Sequence, residues 1–230
     1  MALDMDLEAV LRAPEINMPP YPPKIITLAN GKKMVVRQAA VSDVPILLKA
    51  VKPTIEIERD YYDIVGARLY AELLGWYRHR VRNEYCLVGQ VDGYLVGIVN
   101  GRMVDHDTGM SYHTLAIDRG LRVGSHLFAS KMEYHIEYLK QKEVMIVAES
   151  PIGFRRWMIE YGLIKQDGVQ HELGGAGSYK LTEKLYYDSK ARLVTGTRPV
   201  PKKALDEAMA EIKVADETTI TEKICGVKGR

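Results

Sequence analysis

Thirteen residues near the middle of the chain, Leu115-Ala116-Ile117-Asp118-Arg119-Gly120-Leu121-Arg122-Val123-Gly124-Ser125-His126-Leu127, constrain the fold more than any other stretch. A β-rich run feeds into a turn with two glycines, and an amphipathic helix starts at once. Leu127, Phe128, Met132 and Ile136 follow at helical spacing. Such a junction leaves the first N–H groups of the helix without partners, at the positive end of its dipole. A pyrophosphate is the natural guest. Gly124 allows close backbone approach, and Ser125 adds a hydroxyl. Alone the pattern is unspecific, because glycines close turns far more often than they hold phosphate. The G-x-G-x-x-G spacing of a dinucleotide site is absent.

The flanking segments set the order of elements. Ile25–Leu28 and Met34–Val36 are β-rich and joined through Asn30-Gly31, a hairpin signal. Ser42-Asp43-Val44-Pro45 marks a helix start, and Pro53 its end. A helical pattern runs from about Ile57 to Val81, weakened by Gly66 and Gly75. Tyr85–Val88, Tyr94–Val99 and Ser111–Ile117 read as strands, the first two joined through Asp92-Gly93. Beyond the glycine turn come a helix, a buried strand at Val144–Ala148, a helix from Pro151 to Tyr161 and a strand at Tyr179–Tyr187. An antiparallel meander followed by β-α-β alternation predicts an α/β (α+β) mixed sheet, mostly antiparallel, with helices on both faces. His171–Gly177 is a glycine-rich turn, since it lacks the Lys-Ser/Thr and helix of a phosphate loop.

Two flanks frame this core. Residues 1–24 form an arm, a short amphipathic helix and then the extended run Pro19-Pro20-Tyr21-Pro22-Pro23. The domain spans 25–189. Residues 190–230 form an extension with a surface helix over about Ala204–Val214, striped by Leu205, Met209 and Ile212. Apolar stripes are costly to leave in water. The flanks are therefore expected to pack on a second subunit, as in a homodimer, or on another protein. Folding back onto their own domain is the alternative.

Composition excludes several classes. With 47% hydrophobic and 27% charged residues, 230 residues can bury a real core. A net charge of +2 gives no footprint for nucleic acid. No apolar run is long enough to span a membrane. Met1-Ala-Leu-Asp-Met-Asp lacks the start of a secretory leader. Cys86 and Cys225 lie far apart, which argues for a reducing cytoplasm and against a disulfide or zinc framework. The six histidines form no metal-ligand spacing, so no metal is expected.

Several segments together resemble the GCN5-related N-acetyltransferase (GNAT) family. The glycine turn is similar to its Gln/Arg-x-x-Gly-x-Gly/Ala acyl-CoA motif, with Arg119 first and Gly124 last. Arg122 stands where that motif has its first glycine. Met34–Leu48 resembles the family's opening strand and helix, Asp92-Gly93-Tyr94-Leu95-Val96-Gly97 its central hairpin, and Ala148–Leu163 its later strand and helix. The resemblance implies a seven-stranded sheet, splayed where two parallel strands part, with acyl-CoA in the opening. Ile117, Arg119, Gly120, Leu121, Arg122, Val123, Gly124 and Ser125 would then bind the cofactor. The reaction implied is direct transfer of an acyl group, usually acetyl from acetyl-CoA, to an amine.

Direct aminolysis needs a base for the ammonium, donors for the oxyanion and a proton for the leaving thiolate. His113 shares strand parity with Leu115 and Ile117 and is the preferred base, because imidazole ordinarily titrates near about 6.5. A longer loop would favour Thr108, with Asp105, His106 and Asp107 nearby. The family's acidic tyrosine falls on Met158 here, so Tyr161 is the nearest phenol. The leading function is thus an acyl-CoA-dependent N-acyltransferase. The alternative is a GNAT-fold module that binds a partner, with or without CoA, and does not catalyse.

Overall fold

A computed structural model describes residues 16–168 and 177–226. The expected helix at Met1–Ala13 and most of the turn at His171–Gly177 lie outside the described residues. One eight-stranded sheet runs in the order β1-β2-β3-β4-β5-β6-β8-β7. Its strands are β1 Lys24–Thr27, β2 Lys33–Gln38, β3 Glu84–Val91, β4 Tyr94–Met103, β5 Thr108–Ala116, β6 Glu143–Val147, β7 Ile164–Gln166 and β8 Ser178–Thr182. Every neighbouring pair is antiparallel except β5–β6. β1 precedes the segment that carries the family resemblance and makes eight strands of the expected seven.

Turn chemistry explains the meander. Asp92 and Gly93 both have positive φ, at 53° and 77°, as a two-residue hairpin with native twist requires. β3 is buried on both faces because helices cover both. On one face α1 (Val44–Val51) and α2 (Tyr62–Tyr77) pack Leu47, Leu69 and Leu73 against Val88, Ile98, Leu115 and Ile117. On the other lies α3 (Val123–Glu133), which continues through a π turn at Tyr134–Tyr138. Its Leu127 meets Met34, Leu87 and Val96, while Phe128, Met132 and Ile136 meet Val144 and Ile146. Gly97 is obligatory here: a Cβ would lie 2.7 Å from Leu127 and 2.9 Å from Val123.

Three elements differ from expectation. The helix placed over Ile57–Val81 is shorter, because Asp60 and Tyr61 adopt left-handed backbone just before α2. The expected strand Tyr179–Tyr187 ends at Thr182, whose hydroxyl caps α5 (Glu183–Leu193) by accepting from the Leu185 N–H. The surface helix is α6, Lys202–Met209, and Ile212 follows it in extended chain. α4 (Pro151–Gly153) leads into a π segment at Phe154–Ile159, and α7 spans Glu217–Cys225.

The described C-terminal flank covers most of its apolar residues on its own domain, although Met209 of α6 stays 62% exposed. Ala208 and Val200 pack on Val35, and Ile212, Ile220 and Ile224 join the core under α1 and α2. The described end of the arm is pinned as well. Glu133 accepts from the Tyr21 hydroxyl at 2.6 Å, from Lys24 at 2.8 Å and from Arg198 at 2.9 and 3.2 Å. One carboxylate thereby joins arm, β1, α3 and extension. No helix among the described residues is long and apolar enough to cross a membrane.

Candidate active site

The glycine turn has the geometry its sequence implies. Gly120 has φ of 84° and Arg122 φ of 62°, so the chain makes two left-handed steps before α3. The second falls where the family motif has glycine, and an arginine there is strained by about 1 kcal/mol. Arg122 caps α3 without a side-chain hydrogen bond, and the first helical bond is from the His126 N–H to the Arg122 carbonyl. The N–H groups of Val123, Gly124 and Ser125 therefore have no partner within the helix. A Cβ on Gly124 would make only ordinary contacts, 3.5 Å to Ala116 and 3.8 Å to Thr114. Packing does not demand this glycine, and without a Cβ it leaves the backbone open to close approach.

Beside the turn lies a cavity of about 50 Å³, lined by Arg122, Ser125, His126, Trp157, Tyr161 and Arg192. Glu160 lines it too, its carboxylate 3.8 Å from Arg122 and its carbonyl accepting from Arg192; an anion there would meet these guanidinium groups and an uncapped helix start. Arg119 faces elsewhere. Its guanidinium pairs with Asp60 at 2.7 Å, lies over the Tyr62 ring and donates to the Ile224 carbonyl. Ile117 is buried, its N–H on the Val96 carbonyl.

The second part of the site is where the sheet opens. β5 and β6 pair from Thr108↔Glu143 to Ser111↔Ile146, and no further. His113, fully buried, lies just past the last paired residue. Its Nδ1 is 2.8 Å from Oε2 of Glu149, which follows the end of β6. Arg68 of α2 donates to the other oxygen of Glu149 at 3.0 Å. Burial opposes the Glu149 charge, but the bonds from His113 and Arg68 hold its carboxyl below the usual range. A carboxylate only accepts, so Nδ1 carries the proton of a neutral His113 and Nε2 the lone pair. Nε2 is buried without a hydrogen-bond partner.

Behind the dyad, a register shift in β4–β5 turns Asn100 inward. Its oxygen accepts from the His113 N–H at 3.0 Å, and its amide donates to Glu84 at 2.6 Å. Burial pushes Glu84 up to about 8, so its carboxyl is mostly neutral at pH 7.

Strand parity thus located His113 from the sequence, but neither Glu149 nor Arg68. The available signal was Glu149 directly after the buried β6 run, the point where a splayed strand faces its neighbour. The other base candidates lie at the closed end of β5. Asp105 receives the N–H groups of Asp107 and Thr108, and Asp107 pairs with Lys142. Tyr161 packs on Phe128, with its hydroxyl buried and unpartnered and its titration pushed well above the usual range by burial. Among the described residues no hydrogen bond joins it to His113. No cluster of three metal-ligating side chains occurs among the described residues.

Comparison with solved structures agrees with this architecture. The GNAT domain of S. lividans PAT superposes with a TM-score of 0.53 at 13% identity, over 72% of this chain and 99% of that one. An uncharacterised protein from Bacillus halodurans gives 0.53 at 12% identity, over 75% and 96%. The aminoglycoside acetyltransferase AAC(6')-Ib in complex with coenzyme A gives 0.48 at 13% identity, over 68% and 99%. No family model and no curated protein matches the sequence. At these identities the likeness is one of fold. The chain has the mixed, mostly antiparallel α/β fold of the GCN5-related N-acetyltransferases.

Proposed function

We propose that the protein is an acyl-CoA-dependent N-acyltransferase that moves an acyl group, acetyl in the simplest case, from CoA to an amine. The observation that carries this reading is the His113–Glu149 pair standing where β5 and β6 part, in a fold of this type. The start of α3 fits the phosphate end of the donor: three unpartnered N–H groups, a glycine that packing does not require, and Arg122 and Arg192 at the cavity. Gly120 through Ser125 hold the pyrophosphate through the backbone. Arg119 braces the turn from behind, and Ile117 ends the strand leading into it.

His113 is the base. Glu149 fixes its tautomer and stabilises the imidazolium formed, while Arg68 fixes Glu149. As the amine attacks the thioester, the C–N bond forms, the C–S bond breaks, and the amine's proton passes to Nε2. Tyr161 lines the cavity assigned to the phosphate end of the donor, so it is not the acid for the thiolate, which leaves as the anion and takes its proton from water. An acceptor reaches the opening past α1 and α2, the second of which carries Arg68.

The test is release of free thiol from acetyl-CoA across a panel of small amines and peptides. Acyl transfer to at least one amine, lost in His113→Ala, is expected. Stabilisation by acetyl-CoA with no thiol released from any acceptor would favour a binding module. The mass of the full-length protein in solution would test whether it also forms a homodimer.

A further inference from the structure

Lys131 lies on α3 with 0% of its surface exposed. Lysine is almost never buried so far without a charged partner. Among the described residues no carboxylate bonds this one. Its Nζ instead donates to the carbonyls of Tyr112 at 3.1 Å and His113 at 3.0 Å, and reaches Oγ1 of Thr114 at 3.4 Å. Three acceptors meet the three protons of an ammonium. The Phe128 ring lies 5.6 Å away. Burial lowers the amine to about 7, against the opposing pull of Glu149 and Cys86.

The position of those carbonyls explains the arrangement. β5 loses β6 as a partner after Ser111, and its ladder to β4 is broken by the register shift opposite Asn100. Tyr112 and His113 fall within both interruptions. A buried carbonyl left bare costs about 1–3 kcal/mol, and Lys131 supplies donors for two. A methionine of similar length would fill the same space and donate to neither. The ammonium comes from the α3 face, whereas the His113 imidazole turns toward Arg68 of α2. The two therefore grip one stretch of strand from opposite sides.

We infer that Lys131 is the positioning residue of the active site: by holding the Tyr112 and His113 carbonyls where the strand has lost its neighbours, it fixes the backbone from which His113 reaches Glu149. This rests on the proposed role of His113 as base. Lys131 itself touches no reacting atom. The charged groups facing His113 are Glu149 beyond β6, Arg68 on α2 and Lys131 on α3, while Cys86 of β3, pushed far up by burial, is a neutral thiol.

The experiment is Lys131→Met in the full chain, followed by nitrogen NMR of labelled histidine, a signal independent of turnover. Wild-type His113 is expected in a single Nδ1–H tautomer. In Lys131→Met the tautomers mix, because the backbone that carries the imidazole is no longer held where Nδ1 meets Glu149. Acetyl transfer at pH 7 falls at least about tenfold in kcat, with little change in KM for acetyl-CoA. A folded variant that keeps the single tautomer overturns the inference. If the variant fails to fold, the wild-type protein decides. The Lys131 titration, followed through its ε-carbon, must appear as a step in the His113 shifts, and flat shifts through that step overturn the inference equally. Tautomer loss in a protein whose wild type acylates no amine leaves Lys131 as the positioner of His113 and removes His113 as base.

Discussion

Removing the charge of Glu133 tests how the flanks are held. In Glu133→Gln the side chain keeps its shape but loses a carboxylate that binds Tyr21, Lys24 and Arg198. Burial works against that carboxylate, yet the hydrogen bonds and charges of Arg198, Lys24 and Tyr21 hold it down at about 2, against an ordinary value of 4.5. That gap corresponds to about 3 kcal/mol. Screening at the Arg198 side, 28% exposed, reduces the usable part to about 2 kcal/mol. The variant also leaves Lys24, 1% exposed, without its counter-charge, so the total loss is about 3–4 kcal/mol. For a chain of this length that lowers Tm by about 8 °C. The sign with pH is fixed. A depressed carboxyl stabilises fully above its unfolded value, and that stability drains away as pH falls from about 4.5 toward 2. Urea unfolding of wild type and variant at pH 7, 5, 4 and 3 reads both effects. Wild type should lose its advantage through the acid range and converge on the variant. Equal stability at pH 7, or a gap that persists unchanged at pH 3, would refute the reasoning.

Gly124→Asp should fold normally, since a Cβ there meets only ordinary contacts and an acid suits a helix start. It should abolish thermal stabilisation by acetyl-CoA, measured by a melting shift. Arg122→Gly should relieve the left-handed strain at φ 62° and raise stability by about 1 kcal/mol in denaturant titration. The same variant should weaken acetyl-CoA affinity through the lost guanidinium. His113→Ala should slow acyl transfer more at pH 7 than at pH 9, where free amine is abundant, with acetyl-CoA affinity little changed. Glu149→Gln should slow transfer less than His113→Ala, because the imidazole remains but its tautomer is no longer imposed, a difference visible in steady-state rates.

Much of the frame is local and therefore legible in residue order. Asp92-Gly93 dictates a hairpin because both residues tolerate positive φ. The run from Leu115 to Leu127 dictates strand, turn and helix because its periodicity changes from two to 3.6 across two glycines. Strand parity placed His113 on the face of Leu115 and Ile117 before any tertiary contact was known. Boundaries governed by competing local signals were less legible. The stretch Tyr179–Tyr187 reads as strand, yet the Thr182 cap turns its second half into helix.

The remaining features depend on contacts between residues far apart in sequence. Glu149 is 36 positions from His113, and they meet only because β5 and β6 run parallel and then part. Arg68 joins them because α2 packs over that opening. The stripe of Leu205, Met209 and Ile212 shows only that the extension needs a cover, on a partner or on its own domain. For Ile212, as for Ile220 and Ile224, that cover is the core beneath α1 and α2. Lys131 is the extreme case. On a helical wheel it falls on the buried stripe, four residues from Leu127 and from His135, where spacing alone calls for an apolar residue. A lysine there is met by the Tyr112 and His113 carbonyls of a splayed and bulged strand, acceptors that come together only once the sheet has formed.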